Sequence, residues 1–156
     1  MIGRMYQTML FVHSWLRWAT LVMAIGATIS ALRPVAPDAT RAPGRWWDML
    51  FMLAVDLQMA AGLFLYFGLS PATKVAMNNI GAAMGNPSLR FWAIEHAGGM
   101  FVALILVRVG RVLALNARTA AAAQKRRLVC FALATGVMLL VIPWPGFMNG
   151  RPLVRW

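Results

Sequence analysis

The chain contains two histidines, His13 and His96, and each lies near the start of a long apolar stretch. Ionisable side chains within membrane segments usually have a function, because a polar or charged group is costly there. Neutral imidazole is a standard axial ligand of haem iron. Two histidines on separate helices therefore predict a site for one haem, provided that the helices bring them to the same depth.

Four apolar stretches would have to position these histidines, near residues 9–32, 47–68, 91–115 and 128–144. Each is long enough to cross a bilayer core, which needs about 20 apolar residues. The composition agrees, since 61% of the 156 residues are hydrophobic, 12% are charged and the mean hydropathy is +0.67. We predict an all-α fold, a single transmembrane domain from 1 to 156 that forms a four-helix up-and-down bundle.

A short additional helix is predicted between the second and third stretches. Ser70 followed by Pro71 is typical of a helix cap and a first helical position. The helix would run from 71 to 84 and lie at the membrane surface, because apolar and polar residues alternate along it. Gly85-Asn86-Pro87 would end it.

Fifteen basic residues against four acidic ones give a net charge of +11. Basic residues are concentrated at the ends of apolar stretches, which is the pattern of membrane topology and not of a nucleic-acid-binding face. The two segments that we assign to the cytoplasm carry Arg33, Arg41, Arg45, Arg108, Arg111, Arg118, Lys125, Arg126 and Arg127. Both termini are then predicted to be periplasmic, and the first and third spans run in the same direction.

The two histidines would share one membrane level under this topology. His13 lies about four residues into its span and His96 about five, which places both roughly 6 to 8 Å deep. Diagonal helices of a bundle are about 11 to 14 Å apart, enough for a haem between two imidazoles. Gly62 and Gly99 would provide thin walls for the macrocycle, although small residues also simply allow close packing. Arg90, at the outer rim, would bind a haem propionate.

Two other interpretations of the histidines remain open. Each could make one interhelical hydrogen bond, or the pair could hold copper or another metal together with Met77, Met84 or Met100. The single cysteine, Cys130, excludes an intrachain disulfide and a cysteine metal cluster.

Two charges are predicted to meet inside the membrane. Arg17 and Asp56 differ by only about 6 Å in depth, and an unpaired charge there would be costly. We therefore predict an ion pair between them, which Gln58 could share. The pair would either fix the helix register or supply charge next to a haem or quinone. Glu95 would orient a ring or carry protons at the surface.

Several short motifs resemble those of a known group of proteins. They are His13-Ser14-x-Leu16-Arg17-Trp18, Gln58 with Gly62-Leu63-x-Leu65-Tyr66-Phe67, Glu95-His96 and Ile142-Pro143-Trp144-Pro145. The chain resembles small bacterial four-helix membrane proteins described as cytochrome b-like. The resemblance implies haem b and electron transfer through His13 and His96 in the bacterial inner (cytoplasmic) membrane. The second and fourth spans contain no histidine, so a second bis-histidine haem is not expected.

One haem near one face cannot carry electrons across a core of about 30 Å without other cofactors. We therefore predict a b-type cytochrome subunit of a larger respiratory or photosynthetic complex, in contact with other membrane subunits and lipid, and with quinone as a candidate partner. The alternative is a haem-free accessory transmembrane subunit of such a complex. No nucleophile motif, hydrolase metal motif or phosphate loop points to an independent enzyme.

Overall fold

The computed structural model describes residues 1–36, 38–40, 42 and 44–155. This part of the chain is helical and contains no strand, which confirms the all-α prediction. Two π-helical segments occur, Leu65–Leu69 after the second helix and Phe91–Glu95 before the sixth. The α-helices are α1 Ile2–Ala31, α2 Arg45–Phe64, α3 Pro71–Asn78, α4 Ile80–Gly85, α5 Pro87–Arg90, α6 His96–Leu115 and α7 Ala120–Val141.

Three helical stretches among the described residues are long and apolar enough to cross a membrane: Ile2–Ala31, Arg45–Leu69 and Pro87–Leu115. They correspond to the first three predicted spans. The fourth long helix, α7, has 22 residues, but three consecutive basic residues, 125 to 127, lie in its first half. The membrane character therefore rests on three helices, and a fourth crossing by α7 stays a prediction.

Two helices begin before the apolar stretches that they contain. The first helix begins at Ile2, ahead of the stretch near 9–32, and α7 begins at Ala120, ahead of the stretch near 128–144. Hydrophobicity marks only the part of a helix that is apolar, whereas the helical backbone continues through polar turns. At the start of α7 the Thr119 side chain accepts a hydrogen bond from the Ala122 amide at 3.1 Å, which caps the helix within its polar part.

The predicted helix from 71 to 84 is in fact two helices. Its start is as expected, because the Ser70 side chain accepts a hydrogen bond from the Thr73 amide at 3.3 Å. The break falls at Asn79, whose side chain accepts from the Ala82 amide at 3.0 Å and starts a second helix. An asparagine side chain offers the backbone this alternative to a continuous helix.

The four long helices surround a common core. Each of α1 and α6 contacts both α2 and α7. At the centre, Phe51 and Phe131 are fully buried with ring centres 5.6 Å apart. Small residues bring α6 and α7 close together, since a Cβ added at Gly110 would lie 2.5 Å from the Cβ of Cys130. Many large apolar side chains face outward, including Leu140, which is 83% exposed. Such an outer surface suits contact with lipid.

The close approach at Gly110 gives a testable expectation. Gly110→Val should lower the free energy of unfolding by about 1 to 3 kcal/mol, because the added side chain overlaps Cys130. Gly136→Val is the matched control, since a Cβ there has no neighbouring atom within 4 Å. Thermal unfolding in detergent measures both variants. Equal losses in the two variants would mean that the contact between α6 and α7 is not tight at Gly110.

A buried polar cluster lies at the end of the helices that is remote from His13. Arg127 is fully buried and donates to Asp48 Oδ1 from Nη2 at 2.6 Å and from Nε at 2.9 Å. Its Nη1 donates to Gln124 Oε1 at 2.9 Å, and Gln124 Nε2 donates to the Ser30 carbonyl at 3.0 Å. The cluster thus ties together the end of α1, the start of α2 and α7. Arg127 therefore has a structural partner and is not simply a topological charge; Arg41 lies outside the described residues.

Candidate functional site

The two histidines meet inside the molecule. His13 lies on α1 and His96 is the first residue of α6, directly after the π-helical segment Phe91–Glu95. Their ring centres are 6.3 Å apart and the ring planes are inclined by 74°. Single π-helical turns occur often at functional sites, where they change the direction in which a side chain points. Here the segment fixes the position of His96 in its helix.

The 6.3 Å between the ring centres can be compared with the distance expected for two imidazoles bound to one metal ion. A bond between a metal ion and an imidazole nitrogen is about 2.0 Å long. Each ring nitrogen lies about 1 Å from the centre of its ring, so two imidazoles on opposite sides of one metal have centres about 6 Å apart. The observed 6.3 Å agrees with this value. Packed aromatic rings elsewhere in the structure have the same separation, so the distance fits a metal between the two imidazoles without requiring one.

The ring nitrogens of His96 are suited to binding a metal. Nδ1 lies 2.8 Å from the carbonyl oxygen of Val141 on α7. In the neutral ring Nδ1–H donates to that carbonyl, which leaves the lone pair on Nε2 for a ligand. A hydrogen bond of this kind fixes the ring and increases its basicity in metal sites.

His13 contacts the side chain of Gln58 on α2, with 3.2 Å between Nε2 and the amide nitrogen. Its second ring nitrogen, Nδ1, is buried without a hydrogen-bond partner, and so is Oε1 of Gln58. A half-turn of the amide would let Oε1 accept the Nε2 proton, because the two ends of an amide have nearly the same shape. Nδ1 would then carry a free lone pair, and imidazole binds metals through either nitrogen.

A cavity of about 320 Å³ opens beside the two rings and is lined by both histidines and Gly62. Its volume is at the lower end of the range for cofactor sites. A Cβ added at Gly62 would lie 3.2 Å from Cε1 of His13, so the glycine leaves room beside the ring. Gly99 does not line the cavity. It lies against the side chain of Val141 and permits close packing there.

Two other candidate residues lie away from this cavity. Arg90 Nε donates to Glu95 Oε1 at 2.6 Å, and the two side chains are 40% and 44% exposed. The structure therefore brings neither Arg90 nor Glu95 to the histidines.

The predicted ion pair between Arg17 and Asp56 is wrong. Arg17 Nη2 donates to the carbonyl of Leu153 at 2.6 Å. Asp56 instead accepts from Arg108 Nη2, with 2.7 Å to each carboxylate oxygen. The C-terminal segment folds back along α1 and supplies the partner of Arg17, a contact that depth along the helices could not reveal.

The methionines proposed as alternative metal ligands are distributed unevenly. Met100 lines the cavity, whereas Met77 and Met84 lie on α3 and α4 outside it and are exposed. Among the residues that the structure describes, no group of three or more His, Cys, Asp or Glu side chains could hold a metal ion. A copper site would therefore need the two histidines together with Met100.

Sequence reasoning missed the role of the C-terminal segment. Trp18 Nε1 donates to the Leu153 carbonyl at 2.8 Å and Trp15 Nε1 to the Arg155 carbonyl at 3.2 Å. These contacts hold the segment over the histidine end of α1, where Arg151 and Arg155 line the cavity. No periodic pattern marks residues 143 to 155. The sequence signals there were the motif Ile142-Pro143-Trp144-Pro145 and two arginines, and neither predicts contact with α1.

Gln58 should affect cofactor binding by orienting the His13 ring. We expect Gln58→Leu to weaken the retention of a metal-centred cofactor about 10- to 100-fold, because the ring loses the partner that orients it. Cofactor loss during dilution and gel filtration measures this effect, with Met59→Leu as a control at the neighbouring cavity position. Unchanged retention in Gln58→Leu would show that Gln58 does not orient the ring.

The chain was also compared with known proteins. No family model, curated protein or solved structure matches it.

Proposed function

We propose that the chain is a membrane-bound b-type cytochrome subunit that holds one haem between His13 and His96. The observation that carries this proposal is the meeting of the two histidines at one cavity, with their imidazole centres 6.3 Å apart. The partnerless Nδ1 of His13 indicates a place for a polar or metal-bearing group in this region, since buried polar atoms are normally satisfied. A bound haem would supply reversible one-electron chemistry.

The chain's own residues would provide binding and orientation. The Val141 carbonyl and the Gln58 amide hold the two imidazoles from behind, each from a different helix. Gly62 leaves room beside the His13 ring. The cavity lining is mostly apolar, and the apolar surroundings of a metal centre affect its redox potential.

The proposal includes a topology. The four long helices would form an up-and-down bundle in a bacterial cytoplasmic membrane, with both termini and the haem near the periplasmic face. It is supported by the basic residues at the end remote from the histidines, which the positive-inside rule assigns to the cytoplasm. Since one haem near one face cannot span the membrane, electrons would pass to or from neighbouring subunits or a quinone.

A second candidate function is a haem-free accessory subunit of a respiratory or photosynthetic complex. Two observations favour it: each histidine already has an interhelical hydrogen bond, and Asp56 pairs with Arg108 on the outer surface. These two side chains are 34% and 52% exposed, and Asp56 lies near the middle of its span. Charges facing lipid at that depth are costly, so a partner subunit would cover them.

The two functions can be separated by optical spectroscopy. The full chain, purified in mild detergent from its own membrane, should show b-type bands in a reduced-minus-oxidised spectrum. Pyridine haemochromogen analysis should give about one haem b per chain. An intact native complex without these bands would contradict the cytochrome function and support the accessory one. Elemental analysis that found copper instead of iron would support the alternative metal site.

A further inference from the structure

Three arginines line the same cavity as the two histidines: Arg17, Arg151 and Arg155. Arg17 is only 8% exposed, and its Nε is buried without a hydrogen-bond partner. A buried donor on a charged group is costly unless something accepts its proton. This end of the cavity therefore has an excess of positive charge and a donor that no described part of the chain satisfies.

No acidic side chain balances this charge within the described residues that line the cavity. Three of the four acidic residues of the chain have other partners: Asp48 pairs with Arg127, Asp56 with Arg108, and Glu95 with Arg90. The fourth, Asp38, lies in the loop between α1 and α2, beyond the end of α1 remote from His13. Within the described residues, no acidic group balances the three arginines, so the cavity is suited to an anionic ligand.

The arginines are held close to the histidine rings. Arg17 is fixed by its bond to the Leu153 carbonyl, which belongs to the same C-terminal segment as the other two. Arg151 lies over the ring of Trp92, at 4.9 Å from the ring centre. Trp92 in turn lies 5.7 Å from His96, measured between ring centres. An anion bound by these guanidinium groups would lie next to whatever the histidines hold.

We infer that Arg17, Arg151 and Arg155 bind the two carboxylates of the haem that the proposed function places between the histidines. Guanidinium groups bind carboxylates through paired charge-assisted hydrogen bonds. The inference rests on the proposed function, because it needs a porphyrin next to the histidines. These three arginines take the place of Arg90, which was assigned to a haem propionate from the sequence. Arg90 pairs with Glu95 outside the cavity.

Porphyrins with and without free carboxylates test this assignment. The full chain in detergent, stripped of haem, is titrated with iron protoporphyrin IX, with its dimethyl ester and with metal-free protoporphyrin IX. The wild type should bind the free acid about tenfold or more tightly than the ester, which has no charged oxygens to offer. Arg151→Gln and Arg155→Gln should each reduce this difference. Arg4→Gln, an exposed arginine on α1 that does not line the cavity, should preserve it.

The outcomes separate this inference from the proposed function. If iron protoporphyrin IX and its ester bind equally well, the arginines do not bind carboxylates, whereas the histidine ligation stands. If only the metal-free acid binds and its affinity depends on the arginines, the anion site stands and the cytochrome function falls. If neither porphyrin acid binds, both are overturned. The fold of each variant is checked by circular dichroism before titration.

Discussion

His96→Ala should abolish the low-spin haem spectrum of the purified chain, and His13→Ala should do the same. This is the result that we expect if each imidazole supplies one axial bond to the iron. With one imidazole missing, the chain would hold a haem less firmly, and haem would be lost more readily on dilution. The reduced-minus-oxidised spectrum and the haem-to-protein ratio of each variant measure the change.

The chain offers a control at the same cavity. Met100 lines it and is a conceivable ligand, whereas leucine has nearly the same volume and no sulfur. Met100→Leu should therefore keep the spectrum of the wild type. Loss of the low-spin spectrum in Met100→Leu but not in His13→Ala would mean that methionine, and not His13, is a ligand.

The second large effect concerns the buried ion pair between Arg127 and Asp48. Asp48→Asn or Arg127→Met alone should lower the free energy of unfolding by about 3 to 5 kcal/mol, since each removes one partner of a buried, hydrogen-bonded ion pair. The double variant should lose less than the sum of the two single losses, because no charge remains unpaired. Thermal or denaturant unfolding in detergent measures all three variants.

Arg90→Gln provides the matched control for this pair. It removes the exposed ion pair with Glu95, and exposed pairs contribute at most about 1 kcal/mol. Strictly additive losses at Asp48 and Arg127, or losses as small as that of Arg90→Gln, would show that the buried pair does not stabilise the helix ends.

Composition and helical spacing predicted the apolar helices and singled out His13 and His96, because polar residues in apolar stretches are rare and conspicuous. They also placed both histidines at one level. They could not predict the π-helical segment before His96, since its extra residue per turn depends on packing against the neighbouring helices. The final 6.3 Å gap between the rings results from that packing.

The error at Asp56 has a clear physical origin. The position of a side chain on a helix depends on its depth along the axis and on its direction around the axis. The predicted ion pair used only the depth. Gln58 faces His13 and is two residues, or about 200° around the helix, from Asp56. Asp56 therefore points away from the interior, where Arg108 meets it. The spacing between Asp56 and Gln58 contained this information.

The C-terminal segment was beyond sequence reasoning for a different reason. Its attachment to α1 consists of side-chain bonds to backbone carbonyls, such as those from Arg17 and Trp18 to Leu153. Every residue has a carbonyl, so nothing in the sequence indicates which one will be used.

Electron paramagnetic resonance of the oxidised chain tests the ligation by His13 and His96 most directly. Each of the two imidazoles would supply one nitrogen ligand to a haem iron, and their ring centres are 6.3 Å apart. We therefore expect a low-spin ferric signal that disappears in His13→Ala and in His96→Ala. A high-spin signal in the wild type, a copper signal, or a low-spin signal that survives both substitutions would contradict the account.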